Sequence, residues 1–176
     1  MTLKLQILGC GGNTGMGKET TSFLCYQGEL TENTDLTLID GGTGASKIGI
    51  ERVKQLKDVF FTHSHIDHII GFALLVEAFW DEQHNVIAKP TVHCGQITYD
   101  TIKSSIFKKG VWMNLEEMGF ITYSPIEDGE THVLKNGLSV TAIKSLHAEL
   151  TLGYLVSNGT SSFAFAGDTY FIESFW

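Results

Sequence analysis

Leu3, Leu5 and Ile7 alternate with polar residues at the start of the chain, the period-two pattern of a half-buried strand. Phe23 and Cys25 repeat it less cleanly, and residues 36–39 run apolar into Asp40-Gly41-Gly42. Three successive strands are predicted. Ile48, Val53 and Leu56 fall at roughly helical spacing before the strand-like run Val59-Phe60-Phe61, so a β-to-α-to-β step is expected. Residues 69–80 are almost wholly apolar and contain no proline, which predicts a buried helix, and Val92 opens a further strand. In the second half Asn136-Gly137 separates residues 131–135 from 138–143, a strong hairpin signal. A second hairpin is expected from residues 152–156 and 162–166 around Ser157-Asn158-Gly159-Thr160, its last strand running into Gly167-Asp168. The class is α/β with a strand-heavy core.

Composition narrows the field. With 176 residues, 43% hydrophobic and 18% charged, the chain has the apolar material for one folded domain over residues 1–176, and intrinsic disorder is excluded. No apolar run approaches the ~20 residues of a membrane span and the first residues lack a signal-peptide core, so a soluble cytoplasmic protein with no membrane partner is expected. Twelve basic against 20 acidic residues give a net charge of −8, which counts against nucleic acid as partner. A small anionic substrate held by a local cation is compatible with it. Cys10, Cys25 and Cys94 are widely spaced and odd in number, the pattern of reduced thiols rather than of a disulfide framework.

The chemistry is concentrated in His63-Ser64-His65-Ile66-Asp67-His68, between the strand at residues 59–61 and the expected buried helix. Imidazole and carboxylate are the donors that suit zinc and similar divalent ions, and alternation in a loop lets His63 and His65 point one way while Asp67 or His68 points toward a second ion. Four such donors in six residues outweigh a reading as solvated loop histidines. By contrast Gly12-Asn13-Thr14-Gly15-Met16-Gly17-Lys18 nearly spells a phosphate-binding loop but is followed by Glu19 and a strand-like stretch, where Ser or Thr and a helix are needed. A glycine turn at the rim of the metal site is the better reading, with the amides of Asn13 and Thr14 free to meet a substrate oxygen. His84, His93 and His132 lie outside the cluster, and at least two of them are expected to be structural or exposed. Phe107, Trp112 and Tyr123 read as core before they read as a base-stacking surface.

The H-x-H-x-D-H string resembles the signature of the metallo-β-lactamase fold superfamily of metal-dependent hydrolases. Asp40-Gly41-Gly42, His147 after a strand and Ala166-Gly167-Asp168-Thr169 resemble further landmarks of that superfamily in the same order, from Leu3 to Thr169. The resemblance implies an αββα sandwich and two divalent ions, most simply zinc, with manganese or iron as alternatives. It implies that His63, His65 and His147 bind one ion, that Asp67 and His68 serve the second, and that Asp168 bridges them. Asp67 is also the candidate catalytic residue, orienting the attacking hydroxide or acting as a plain ligand. The superfamily's further histidine beyond the bridging Asp has no counterpart before Trp176, so the chain is expected to lack a C-terminal part, and the apolar tail from Tyr170 is expected to associate, with a homo-oligomer as one outcome. Within the superfamily, residues 63–71 and the segment Ile106-Phe107 to Leu115 resemble class II cyclic-nucleotide phosphodiesterases, although Met113 stands where that pattern has Pro and Leu75-Val76 where it has Ser-Pro. A phosphodiesterase acting on a small cyclic nucleotide is the function implied. The alternatives are a lactone, thioester or transfer-RNA 3′ processing hydrolase, or a non-catalytic metal-binding protein of the same fold.

Overall fold

The computed structural model describes residues 1–12, 17–147 and 150–173. Strands β1 (Leu3–Gly9), β2 (Ser22–Gln27) and β3 (Leu36–Ile39) form an antiparallel meander. β3 then pairs in parallel with β4 (Leu56–Phe60), which leads on to β5 (Thr91–Cys94) and β6 (Thr122–Pro125), giving one six-stranded sheet in chain order. The strands β7 (Thr131–Val133), β8 (Ser139–Lys144), β9 (Leu152–Ser157) and β10 (Ser162–Phe165) make a four-stranded antiparallel sheet in the order β10-β9-β8-β7. Among the described residues two short helices, α1 (Ile70–Leu75) and α2 (Gln96–Ser105), complete the regular structure apart from 3₁₀ turns.

Successive side chains of a strand leave on opposite faces, and in the six-stranded sheet both faces are covered. Leu24, Leu38 and Val59 enter one core with Phe72 of α1 and Tyr99 and Ile102 of α2. Their neighbours Cys25, Ile39 and Phe60 enter a second core, against Val140, Tyr154 and Val156 of the four-stranded sheet. Burial from both sides is why residues 36–39 read as continuously apolar. The layers run helices, six-stranded sheet, four-stranded sheet, as in the expected sandwich. Among the described residues no helix lies on the outer face of the second sheet. No helix of the described residues is long and apolar enough to cross a membrane.

Both expected hairpins form, with Thr131 opposite Thr141 and Ser162 opposite Ser157, and Gly137 takes the left-handed φ of 81° that its turn requires. The helix expected over residues 69–80 is shorter. α1 gives way to a 3₁₀ turn at Val76–Ala78, and the Phe79 carbonyl accepts from the amides of Ile87 and Ala88, from outside the helix. The helical spacing of Ile48, Val53 and Leu56 resolves into two 3₁₀ segments, Thr43–Ile48 and Val53–Gln55, interrupted by Gly49 at φ 71°, with Leu56 already in β4. α2 and β6 have no counterpart in the hydrophobic pattern, because α2 buries only Thr98, Tyr99 and Ile102, too narrow a stripe to stand out. Phe107 is core, while Trp112 and Tyr123 are partly buried against it, and Tyr123 stacks on Tyr99 at 3.6 Å.

Candidate metal centre

The parallel pair β3–β4 brings two chain segments side by side at its carboxyl end, where open α/β sheets place ligands. Asp40 follows β3 and hydrogen-bonds through its amide to the Phe60 carbonyl at 2.8 Å, while Thr62 and His63 follow β4. Gly41 and Gly42 are needed for close approach. The Gly41 amide donates to the His68 carbonyl at 2.6 Å and its carbonyl accepts from Phe72 at 2.8 Å, so the turn lies flat against the start of α1. A Cβ on Gly42 would run into the Asp67 carbonyl, and one on Gly71 into the Gly42 carbonyl. Thr20 fixes the same region from the other side, its hydroxyl donating to the Asp67 carbonyl at 2.6 Å and accepting from the Thr43 amide at 2.8 Å.

Asp40 is fully buried and organises two of the histidines. Its Oδ2 receives His68 Nδ1 at 2.7 Å, and its carboxylate also accepts the Thr62 amide at 2.8 Å and the Thr62 hydroxyl at 2.9 Å. Because the Thr62 hydroxyl proton is committed to Asp40, the 3.0 Å contact between Thr62 Oγ1 and His63 Nδ1 is made by the ring donating. In their neutral forms both imidazoles therefore carry the proton on Nδ1 and a lone pair on Nε2. Both Nε2 atoms are buried and have no hydrogen-bond partner. Buried polar atoms are rarely left orphaned, and a carboxylate-oriented imidazole with a free nitrogen is the usual preparation of a metal ligand. The residues present therefore fit a divalent cation.

The other donors close in from distant chain segments. His63, His65 and His147 place one ligand atom each within 4.8 Å of one another, and His63, His68 and Asp168 do the same. His147 Nε2 and His65 Nδ1 stand 3.2 Å apart. Asp168 spans the two groups, with Oδ1 3.4 Å from His68 Nε2 and Oδ2 3.9 Å from His147 Nε2. Asp67 Oδ2 lies 3.6 Å from His68 Nε2 but belongs to neither group of three. His63 belongs to both, where the family resemblance put it in the first set alone.

Buried and open halves of the site differ electrostatically. Burial, then the neighbouring imidazoles of His68, His65 and His147, push His63 down to about 3, which makes it a neutral donor except in strong acid. Burial also disfavours charge on His68, but Asp40, followed by Asp168 and Asp67, outweighs it and holds that ring above its ordinary range. For Asp40, burial pushes the carboxyl up against the bonds from His68 and Thr62. His63, His68 and Asp40 form the buried floor, and His65, His147 and Asp168 the exposed rim.

Asn13 and Thr14 lie outside the described residues. Lys18 leads into β2 rather than into a helix, so the near-match to a phosphate-binding loop has no loop-to-helix geometry behind it. His84 is exposed in a loop at φ 62°. Sequence reasoning did not single out Thr62 as a positioning group, nor the contact of His93 with Asp58 at 2.9 Å and with His132 at 3.1 Å. Those partners are set by strand register, which leaves no local signature.

Four similarities to known proteins bear on this arrangement. The family model described as a β-lactamase superfamily domain matches residues 37–174. A 3′,5′-cyclic-nucleotide phosphodiesterase of Schizosaccharomyces pombe is 30% identical over 88 residues, which is 49% of this chain and 24% of the relative, so the chain spans about a quarter of that protein's length. The metallo-β-lactamase fold protein YhfI from Bacillus subtilis superposes with a TM-score of 0.75 at 17% identity, covering 99% of this chain and 66% of that one. Unliganded yeast PDE1 superposes with a TM-score of 0.74 at 17% identity, covering 98% of this chain and 67% of that one. At such identities the superpositions establish the metallo-β-lactamase fold and nothing narrower.

Proposed function

The chain belongs to the β-lactamase superfamily, and on that footing we propose that its histidine cluster holds divalent metal and hydrolyses a small phosphodiester, a cyclic nucleotide first among them. The observation that carries the metal is the pair of buried, unpartnered Nε2 atoms on His63 and His68, each with its tautomer fixed from behind. The phosphodiester is supported by the 88-residue likeness to a cyclic-nucleotide phosphodiesterase, which takes in half of this chain.

In this reading His63, His65 and His147 would hold one ion, His68 and Asp168 would offer donors to a second, with Asp67 beside them, and Asp168 lies between the two groups. Imidazole-rich sets suit zinc, with manganese or iron as alternatives. When bound, such ions supply an activated water at neutral pH and neutralise charge developing on the phosphoryl oxygens. The protein's own part is positioning. Asp40 keeps a proton on His68 Nδ1, and Thr62 keeps one on His63 Nδ1, so both Nε2 lone pairs stay aimed inward. The Asp67 carboxylate would accept a hydrogen bond from a water at the site and orient it. The exposed rim of His65, His147 and Asp168 admits the substrate's phosphodiester, while the floor excludes bulk solvent. No side-chain nucleophile is needed.

The test is turnover of 3′,5′-cyclic AMP and bis(p-nitrophenyl) phosphate by the zinc- or manganese-loaded chain, with lactone and thioester substrates alongside. Metal-dependent hydrolysis of the phosphodiesters is expected, and Asp67→Ala should lower kcat by orders of magnitude while His63, His65 and His147 still take up metal. Activity confined to the lactone or thioester overturns the substrate class. Metal uptake without hydrolysis of any of them would make the chain a metal-binding protein of this fold.

A further inference from the structure

At the opposite end of the parallel strands lies a second cluster that the metal centre does not use. Asp58 lies within β4, five residues before His63, and shares a cavity wall with Asp35, which precedes β3, and Lys89, which precedes β5. Asp58 Oδ1 meets His93 Nε2 at 2.9 Å, and His93 Nδ1 meets His132 Nδ1 at 3.1 Å, a relay crossing from β4 through β5 to β7 in the facing sheet. A carboxylate only accepts, so His93 donates from Nε2; with one proton per ring its Nδ1 accepts, and His132 donates from Nδ1. His132 is thereby left with a lone pair on Nε2, for which the described hydrogen bonds give no protein partner. The ring is half-buried in the wall of a cavity of about 710 Å³, the size range of small-molecule sites.

The charge around that cavity departs from the rest of the molecule. Lys57, Lys89 and Lys135 line it from three separate segments, three of the 12 basic residues of a chain with net charge −8. Ser124, Thr131 and Thr91 add hydroxyl donors. Asp35 and Asp58 are the acidic residues of the wall, and Asp58 is committed to His93. Burial, then His93, holds the His132 ring below its ordinary range against the pull of Glu130 and Asp58, so an anion beside it is what brings a proton onto Nε2. A cation is a poor occupant: among the described residues, groups of three or more metal donors occur only at the metal centre, and two imidazoles facing three ammonium groups do not make a metal site.

We propose that this cavity is a binding site for a small phosphate-bearing anion, held by Lys57, Lys89 and Lys135 and by His132, which takes up a proton on Nε2 and donates it as a hydrogen bond. The lysines provide the charge, and the Asp58–His93 pair fixes the ring so that Nε2 is the face presented.

The experiment uses the full chain labelled with ¹⁵N-histidine and treated with chelator, so that metal does not recruit phosphate at the other end. Titration with inorganic phosphate at neutral pH is expected to move His132 Nε2 saturably from its unprotonated toward its protonated ¹⁵N shift, leaving His65 and His147 unmoved. Lys89→Ala combined with Lys135→Ala, both exposed positions where the fold should persist by near-UV circular dichroism, is expected to weaken the response at least tenfold. The response should reappear in zinc-loaded protein, which separates it from phosphate at the metal centre. Absence of a saturable shift, or an undiminished one in the lysine variant, overturns the proposal. So does a stoichiometric zinc-induced shift of His93 and His132 in place of the phosphate response.

Discussion

His147 Nε2 and His65 Nδ1 face each other at 3.2 Å across 82 residues of chain. Two nitrogens on one tetrahedral zinc, each bonded at ~2.0–2.1 Å, stand about 3.3 Å apart. The rim is thus held at ligating separation by folding alone, with His147 carried on the loop between β8 and β9. His147→Ala should remove a ligand without disturbing the buried floor. The expected result is a loss of zinc affinity at least as large as the ~10–100-fold that follows loss of an outer hydrogen-bond partner, with near-UV circular dichroism unchanged. Unaltered affinity by titration calorimetry would place the metal elsewhere.

Asp40→Asn tests the floor. Asn keeps the shape and tolerates the positive φ of 53° at this position, but it lacks the charge that holds the His68 proton on Nδ1. Metal affinity should fall ~10–100-fold while the chain still folds. Elemental analysis after dialysis against a weak chelator measures it.

Gly71→Ala addresses backbone approach. The added methyl would first meet the Gly42 carbonyl and the Thr43 Cα, and both belong to backbone. Separation of α1 from the Asp-Gly-Gly turn should cost ~2–3 kcal/mol or more, the upper end of the ~1–3 kcal/mol usual for overpacking, because backbone cannot swing aside as a side chain does. Chemical denaturation reads the stability, and metal affinity should drop with it because Asp40 and His68 sit on the two surfaces forced apart.

Tyr154→Phe separates stability from chemistry. The Tyr154 hydroxyl is fully buried and donates to the Phe61 carbonyl at 2.8 Å, two residues before His63. Its removal should cost about 1–2 kcal/mol, the worth of a buried bond whose acceptor is left unsatisfied. Metal stoichiometry should not change, since the His63 ring is held by Thr62 rather than by this bond.

How much of this was legible in the sequence depended on how local each feature is. The six-residue histidine string is contiguous, and alternation after an apolar strand was enough to mark it. His147 and Asp168 were reachable only through family landmarks, because nothing in their own neighbourhoods announces a ligand. The Asp40–His68 bond, 28 residues apart, and the Asp58–His93–His132 relay, with steps of 35 and 39 residues, depend on which strands lie side by side and in which register. Hydrophobic periodicity reports the face of a strand and not its neighbour, so these partners were invisible to it. The long helix expected over residues 69–80 failed for a related reason: apolar content marks burial, and Phe79 is buried although the helix has already ended and the chain leaves for β5 through an exposed loop over residues 82–87.

The placement of His63, His65, Asp67 and His68 within six residues has a consequence for how the protein acquires its shape. Such a string keeps its donors close together even in the unfolded chain, so divalent ions bind the denatured ensemble as well as the native state. Only the contributions of His147 and Asp168, brought in by later and more distant pairings, are then reserved for the folded molecule. Added zinc should raise the melting temperature by less than the native affinity alone would give, and excess zinc during refolding should slow the chain by crosslinking strings from different molecules before β8 and β9 have closed.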